Sequence, residues 1–172
     1  MKKAELTVSE VLEFSRHDFL NELQLVLMYI ELGKMPESKQ AILKVSNKIK
    51  QLSMLSKLGL PATNVWLNTF RWMYPFFQTT YSMSIETGTR KVNDLELRTF
   101  LDTFFQDLVD RLDPLSEYEI GFEVLAGPSD WSITLTISGS MNVNQELPTT
   151  GNNFFAEAVL ADNVYVLKIS GN

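Results

Sequence analysis

Residues 7–33 read TVSEVLEFSRHDFLNELQLVLMYIELG, and this stretch decides the fold of the N-terminal part of the chain. It opens with Thr7 and, three residues later, Glu10, which is the pattern of a capping box in which two side chains satisfy free backbone amides. It closes with Gly33, which suits the position after a helix because glycine accepts a positive φ. The stretch therefore predicts one long helix that begins after Thr7 and ends at Gly33.

A second helix is predicted from Pro36 to about Leu58, with Gly59 as its stop and Pro61 behind it. Only a few residues separate the two helices, so they should form an antiparallel hairpin. The first helix carries apolar residues on one face and also well around its cylinder: Val8, Leu12, Phe19, Leu23, Val26 and Ile30, then Leu20, Leu25, Leu27, Met28 and Tyr29. A two-helix hairpin cannot cover that much apolar surface, but two hairpins paired into a four-helix bundle can. Residues 1–60 are therefore predicted to form a homodimerisation domain.

Residues 61–172 have a mixed pattern and are predicted to form a second domain, so that the fold class of the whole chain is α+β. The pattern indicates a helix over 62–74, a strand over 81–87 and a helix that begins after Asn93. Strands are predicted over 118–126 and 131–138, then a short helix over 153–160 and a last strand over 164–170. This order predicts a small α/β sandwich with a largely antiparallel sheet. The aromatic-rich segment 65–81, with Trp66, Trp72, Phe76 and Phe77, is interpreted as core and not as a cofactor site.

The composition excludes several classes of function. The 172 residues are 45% apolar, contain no cysteine and one histidine, and carry a net charge of −6. The chain therefore has no thiol nucleophile and no Cys-ligated metal site, and its acidity argues against nucleic acid as a partner. The N-terminus does not resemble a signal peptide, and no apolar run reaches the length of a membrane span, so a cytoplasmic protein is expected. Residues 1–60 carry nine Lys/Arg against seven Asp/Glu, whereas the rest carries six against fourteen.

The single histidine, His17, lies midway along the polar face of the first helix, opposite its apolar face. A neutral imidazole is a good nitrogen nucleophile at cellular pH. Asp18 could hold one ring nitrogen as N–H, and Asn21, one turn later on the same face, could hydrogen-bond a phosphoryl oxygen. Arg16 could add positive charge near the phosphoryl group. These are the requirements of phosphoryl transfer, although a lone surface histidine on an arbitrary helix is more often without a function.

The segment SRHDFLNELQLV, residues 15–26, closely resembles the phosphorylation segment of the sporulation initiation phosphotransferase B family. It also resembles the related dimerisation helices of citrate/fumarate-type sensor histidine kinases. The family pattern falls on His17, Asp18, Phe19, Leu20, Asn21, Leu23, Gln24 and Leu25. The resemblance implies that His17 is phosphorylated, that the hairpin dimerises and that residues 61–172 resemble a degenerate histidine-kinase ATPase domain. It further implies a bacterial phosphorelay of sporulation initiation, in which the phosphoryl group passes from one response-regulator aspartate to another.

A sensor kinase of this type would also need to bind ATP, and the sequence argues against that. None of the eight glycines has G-x-G spacing, and there is no G-x-x-x-x-G-K. In the predicted helix 105–112, Arg111 stands where a metal-binding Asn would be expected, and no Asp precedes Gly139 in the segment 136–141. We therefore expect no autokinase activity and no cofactor or metal of its own. Magnesium is expected on the response regulator.

A response-regulator receiver domain must bring its aspartate close to His17, so its contact surface should surround that residue. The residues predicted to form it, together with Glu10, are Glu13, Phe14, Arg16, Leu20 and Gln24. Two other interpretations remain open at this point. The chain could be a non-catalytic dimeric module that docks and inhibits a sensor kinase or a response regulator, or a plain structural dimer in which His17 is incidental.

Overall fold

The N-terminal unit of the chain is a helical hairpin. The computed structural model describes residues 6–113, 115–139, 150–151 and 153–171, and the chain divides into two units, Met1–Ser53 and Met54–Asn172. Helix α1 spans Val8–Glu31 and helix α2 spans Met35–Met54. The predicted capping box is confirmed, because Thr7 Oγ1 accepts from the Glu10 amide at 3.3 Å and Glu10 Oε2 accepts from the Thr7 amide at 2.7 Å. The Thr7 hydroxyl also donates to Glu10 Oε2 at 2.7 Å, and the hydrogen bonds from the Thr7 amide and hydroxyl lower the pKa of the Glu10 carboxyl.

The turn between the two helices is closed by Gly33, as predicted. Gly33 has a φ of +68°, its amide donates to Ile30 at 3.0 Å, and the Lys34 amide donates to Tyr29 at 2.8 Å. These two hydrogen bonds form a Schellman motif, which satisfies carbonyl groups at the end of α1. A three-residue turn of this kind gives the antiparallel hairpin that the spacing predicts.

The predicted end of the second helix near Leu58 is wrong. Helix α2 ends at Met54, and a 3-10 turn follows at Leu55–Lys57. The tighter turn places residues three apart on one side, and Leu55 and Leu58 are both buried in the core of the second unit. Gly59, with a φ of +74°, then ends the turn.

The second unit is a five-stranded sheet with two helices, which confirms the α+β fold class. Its elements are α3 Pro61–Met73, β1 Phe77–Ile85, α4 Asp94–Val109, β2 Tyr118–Ala126, β3 Trp131–Ser138, β4 Phe155–Ala161 and β5 Val164–Gly171. The strand order is β1-β2-β3-β5-β4. Strand β1 pairs parallel with β2, and the other three pairings are antiparallel. Strand β1 begins four residues before the predicted start at Tyr81, and α4 ends at Val109, so Arg111 lies beyond the helix expected to contain it.

An aromatic cluster fills the core of this unit. The ring of Phe70 lies 4.9 Å from Phe105 and 4.8 Å from Phe122, both nearly edge-on, and the Trp66 ring lies beside it at 5.2 Å, tilted by 56°. Such edge-to-face pairs stabilise a core beyond the burial of their area. The interpretation of the aromatic segment as core is therefore confirmed for Trp66 and for Phe77, which is also buried.

The predicted short helix over 153–160 is wrong, because this segment is strand β4. A two-residue loop, Asp162 and Asn163, joins it to β5, and both residues have positive φ angles of 49° and 62°. Positive φ at both central positions is the geometry of a type I′ hairpin turn, which Asp and Asn tolerate. The register pairs Ala161 with Val164 across this turn. Pairing with β5 outweighs the helix preference of the alanines, glutamate and leucine in the segment.

Candidate functional site

His17 lies on a solvent-exposed side of α1 and has one hydrogen-bonding neighbour among the interactions that the structure records. Its Nδ1 atom lies 3.2 Å from Nδ2 of Asn21, one helical turn later. Residues four apart in an α-helix lie side by side, so this contact follows directly from the spacing of the two residues. The predicted proximity of Asn21 to His17 is thus present in the geometry, and the contact is made to Nδ1 and not to Nε2.

The Asn21 amide can bind Nδ1 in two ways, and they leave the ring with different chemistry. If the amide nitrogen donates, Nδ1 uses its lone pair and the ring proton resides on Nε2. If the amide turns over, its oxygen accepts from Nδ1–H and Nε2 carries the free lone pair. The oxygen and nitrogen of an amide have nearly the same size, so either arrangement fits the 3.2 Å separation. Only the second arrangement makes Nε2 a nucleophile.

Asp18 lies on another side of the helix from His17. About 100° separates consecutive residues of a helix, and Asp18 falls on the half-buried stripe that faces α2: Val11, Asp18, Glu22, Val26 and Tyr29. On the same seam, Lys48 of α2 approaches Glu22 at 3.5 Å. The structure therefore brings Asn21 to the imidazole and sets Asp18 towards the hairpin seam.

The five residues predicted to bind a partner are all exposed on α1: Glu13, Phe14, Arg16, Leu20 and Gln24. Leu20 is 55% exposed and Phe14 is 39% exposed, on opposite flanks of His17. Met28 is also exposed, and it lies within about 20° of His17 on the helix, three turns later. The sequence analysis counted Met28 among the apolar residues of the bundle surface, although a rotation of about 100° per residue places it on the same side of α1 as His17.

A second exposed side of the hairpin is apolar. On α1 it contains Val8, Leu12, Phe19, Leu23 and Ile30, and on α2 it contains Met35, Ile42 and Ile49. Around the axis of each helix, the apolar stripe lies about 90° from the residues that face the other helix. The rotation has the same sense in both helices when each is viewed from its own N-terminus. Because the helices are antiparallel, both stripes open on one side of the hairpin. His17 lies on the other side.

In the second unit, two acidic residues of α4, Asp94 and Asp102, have structural partners. The carboxylate of Asp94 accepts from the amides of Ala62 at 2.6 Å and Thr63 at 3.0 Å, which caps the start of α3. Asp102 accepts from the indole nitrogen of Trp66 at 2.7 Å and pairs with Arg98 at 3.5 Å. Within the described ranges, no group of three or more His, Asp or Glu side chains is gathered as metal ligands. Among those same residues, no helix has the length and hydropathy needed to cross a membrane.

Comparison with known proteins relates the hairpin to sensor kinases. Residues 1–58 match the family model of the alpha-helical domain of SpoOB-type sensor kinases. No curated protein matches the chain. Among solved structures, the catalytic domain of the histidine kinase ThkA is 10% identical, with a TM-score of 0.48 over 67% of this chain and 91% of that one. The Acinetobacter baumannii histidine kinase AdeS is 8% identical, with a TM-score of 0.45 over 91% and 97% of the two chains. By the family model, the hairpin is similar to the alpha-helical domain of SpoOB-type sensor kinases.

Proposed function

We propose that this protein is a histidine phosphotransferase of a bacterial phosphorelay, with His17 as the residue that carries the phosphoryl group. The observation that carries the proposal is the exposed imidazole with Nδ1 beside Asn21, within a segment that matches the helical domain of SpoOB-type sensor kinases. An exposed ring on a rigid helix can be reached by a partner protein, and a ring held at one nitrogen presents the other in a fixed direction. The resemblance of residues 15–26 suggests that the relay is the one that initiates sporulation, in the cytoplasm.

The transfer is a displacement at phosphorus. Nε2 of His17 attacks the phosphorus of an aspartyl phosphate on a response regulator, and a bond forms between nitrogen and phosphorus. The bond from phosphorus to the aspartate oxygen breaks, and the carboxylate leaves. The Asn21 amide oxygen holds the proton on Nδ1 throughout, so no proton has to move. The reverse displacement passes the phosphoryl group from His17 to the aspartate of a second regulator.

Charge on the transferred group must be neutralised for this reaction to proceed. Arg16, adjacent to His17 on an exposed part of α1, supplies one positive charge from this chain. The regulator supplies the magnesium ion that binds the phosphoryl oxygens. Phe14 and Leu20 provide small apolar contacts on the flanks, which suits a transient interface whose centre is apolar and whose rim is polar.

The active form is a homodimer in this proposal. The apolar stripes of α1 and α2 open on the same side of the hairpin, and Leu12, Phe19 and Ile42 on them are all more than half exposed. Two copies that pair these faces form a four-helix bundle and remove the apolar surface from water. His17 remains outside because it lies on the opposite side of α1.

The second unit acts in this proposal without nucleotide. Asp94 and Asp102 of α4 hold α3 through hydrogen bonds to Thr63 and Trp66, so these carboxylates serve packing. The sequence of the second unit also lacks glycine-rich loops that could bring backbone amides to phosphates. The protein is therefore a phosphotransferase that receives its phosphoryl group from another protein and has no autokinase activity.

The test is phosphorylation of the full chain by labelled response regulators. Wild-type protein should take up label that is acid-labile and alkali-stable, and His17→Ala and His17→Gln should take up none. Both variants should keep the dimer and the melting temperature of the wild type, because the side chain is exposed. If the wild type binds a phosphorylated regulator and stays unlabelled, the protein is a docking module and the proposal fails. Label on the His17→Ala variant would also refute it.

A further inference from the structure

A cavity of about 710 Å³ opens at one end of the sheet in the second unit. Its walls come from the end of β2, the β2–β3 turn, the start of β3 and the facing parts of β4 and β5. Lining residues include Lys91, Gly127, Asp130, Trp131, Phe155 and Lys168. The volume lies within the ~300–1,000 Å³ that small-molecule sites occupy, and none of the residues belongs to the proposed phosphotransfer site on α1.

The cavity gathers positive charge in an acidic part of the chain. Residues 61–172 contain fourteen Asp/Glu and six Lys/Arg. Only two of those six are lysines, Lys91 and Lys168, and both line this cavity although they lie far apart in sequence. One acidic residue, Asp130, shares the lining. Its carboxylate lies over Gly127, since a side-chain carbon added to that glycine would meet Asp130 Oδ1.

A third cation, Arg90, hydrogen-bonds to the backbone that forms the cavity wall. Arg90 is only 7% exposed, and its Nη2 atom donates to the carbonyl oxygens of Gly127 and Glu86, each at 2.6 Å. Its Nε and Nη1 atoms are buried without a hydrogen-bond partner in the described part of the chain. A buried guanidinium with two unpaired donors raises the positive potential beneath the Gly127 wall.

An indole donor and apolar side chains complete the site. Nε1 of Trp131 is buried and lacks an acceptor among the residues that the structure describes. It lies beside Gly171, where an added side-chain carbon would come within 3.0 Å of it. Phe155 is 79% exposed, and Leu125 is also exposed. The lining thus combines cations, an unpaired donor and an apolar surface.

We propose that this cavity binds a small organic anion. A carboxylate or phosphate group lies between Lys91 and Lys168, and an apolar or aromatic part of the ligand rests on Phe155 and Leu125. The mixed lining selects against cations and against fully apolar ligands. The site does not depend on phosphorylation of His17.

The experiment titrates the full chain with phenyl phosphate, inorganic phosphate and benzoate, with benzylamine as a cationic probe, at constant ionic strength. Phenyl phosphate or benzoate should raise the melting temperature saturably and move the Trp131 indole resonance in a ¹H–¹⁵N spectrum, and benzylamine should do neither. The stronger of the two identifies the acidic group. Inorganic phosphate should bind at least fivefold more weakly than phenyl phosphate; equal binding would refute the apolar part of the site.

Substitution of the lysines locates the site. Lys91→Gln and Lys168→Gln should each weaken binding at least fivefold with unchanged melting, because both residues are exposed. Lys57→Gln is the matched control, since Lys57 is an exposed lysine of the same unit outside the cavity. The proposal is refuted if no anion binds saturably, or if Lys57→Gln weakens binding as much as the cavity variants. His17→Ala should bind the anion like the wild type, so failure of one proposal is distinguishable from failure of the other.

Discussion

Replacing Asn21 with alanine tests how the imidazole is prepared for attack. The variant loses the 3.2 Å contact with Nδ1 of His17, and an exposed hydrogen bond of this kind contributes roughly 0.5–1.5 kcal/mol. In the proposed arrangement the amide oxygen accepts from Nδ1–H. Since about 1.4 kcal/mol corresponds to a factor of ten, loss of that bond should lower the population of the ring form with a free Nε2 by roughly two- to tenfold. The rate of transfer from a phosphorylated regulator should fall by at least that factor. The free energy of unfolding should fall by no more than about 1.5 kcal/mol, the contribution of that hydrogen bond.

The measurement is unambiguous because the chain contains one histidine. Nitrogen-15 chemical shifts of the His17 ring report which nitrogen carries the proton, and rapid-quench kinetics give the transfer rate for the same variant. Asn21→Asp is the matched variant: its carboxylate only accepts hydrogen bonds, so it should keep the proton on Nδ1. The reasoning fails if Asn21→Ala leaves both the ring tautomer and the transfer rate unchanged.

Four further outcomes are expected. Leu23→Lys should give monomers or unfolded protein in light scattering, because Leu23 lies on the apolar side of α1 that the dimer buries; a wild-type monomer at micromolar concentration would contradict this. Millimolar ATP with magnesium should leave the melting temperature unchanged, whereas a bound ligand would raise it. Leu20→Ala and Phe14→Ala should slow transfer while costing less than about 1 kcal/mol in stability; a loss of ~2 kcal/mol or more with unchanged transfer would place the docking surface elsewhere. Asp94→Ala removes the carboxylate that accepts from Ala62 and Thr63. The free energy of unfolding should fall by about 2 kcal/mol, which should lower the melting temperature by roughly 4–8 °C.

The features predicted correctly from sequence are those fixed by neighbouring residues. The capping box of Thr7 and Glu10 and the turn at Gly33 depend on groups within five positions of each other. Asn93 likewise caps α4 by accepting from the amides of Leu95 and Glu96. Each of these patterns has a local hydrogen-bonding reason, so no knowledge of the tertiary fold was needed.

The features that sequence reasoning missed depend on distant partners. Strand β4 has helix-forming residues, and its strand conformation comes from pairing with β5 through the turn at Asp162 and Asn163. The Asp162–Asn163 pair, whose residue types tolerate positive φ, was the sequence signal that could have predicted this hairpin. The cap on α3 is supplied by Asp94, more than thirty residues later in the chain, and no local pattern near Leu60 indicates it. Lys91 and Lys168 line the same cavity only once the sheet has formed, so no local pattern in the sequence indicates that cavity.

The burial pattern of α1 connects the proposed dimer to the exposure of His17. None of its described residues is buried, although full burial of one large apolar side chain contributes about 1.5–3 kcal/mol. A hairpin that exposes Leu12, Phe19 and Leu23 on one side gains little from folding alone. Pairing with a second copy supplies the missing stabilisation, and α2 already occupies the neighbouring side of α1. The side that carries His17 and Asn21 is then left to solvent, so the same helix can be anchored firmly and still offer its histidine to a partner.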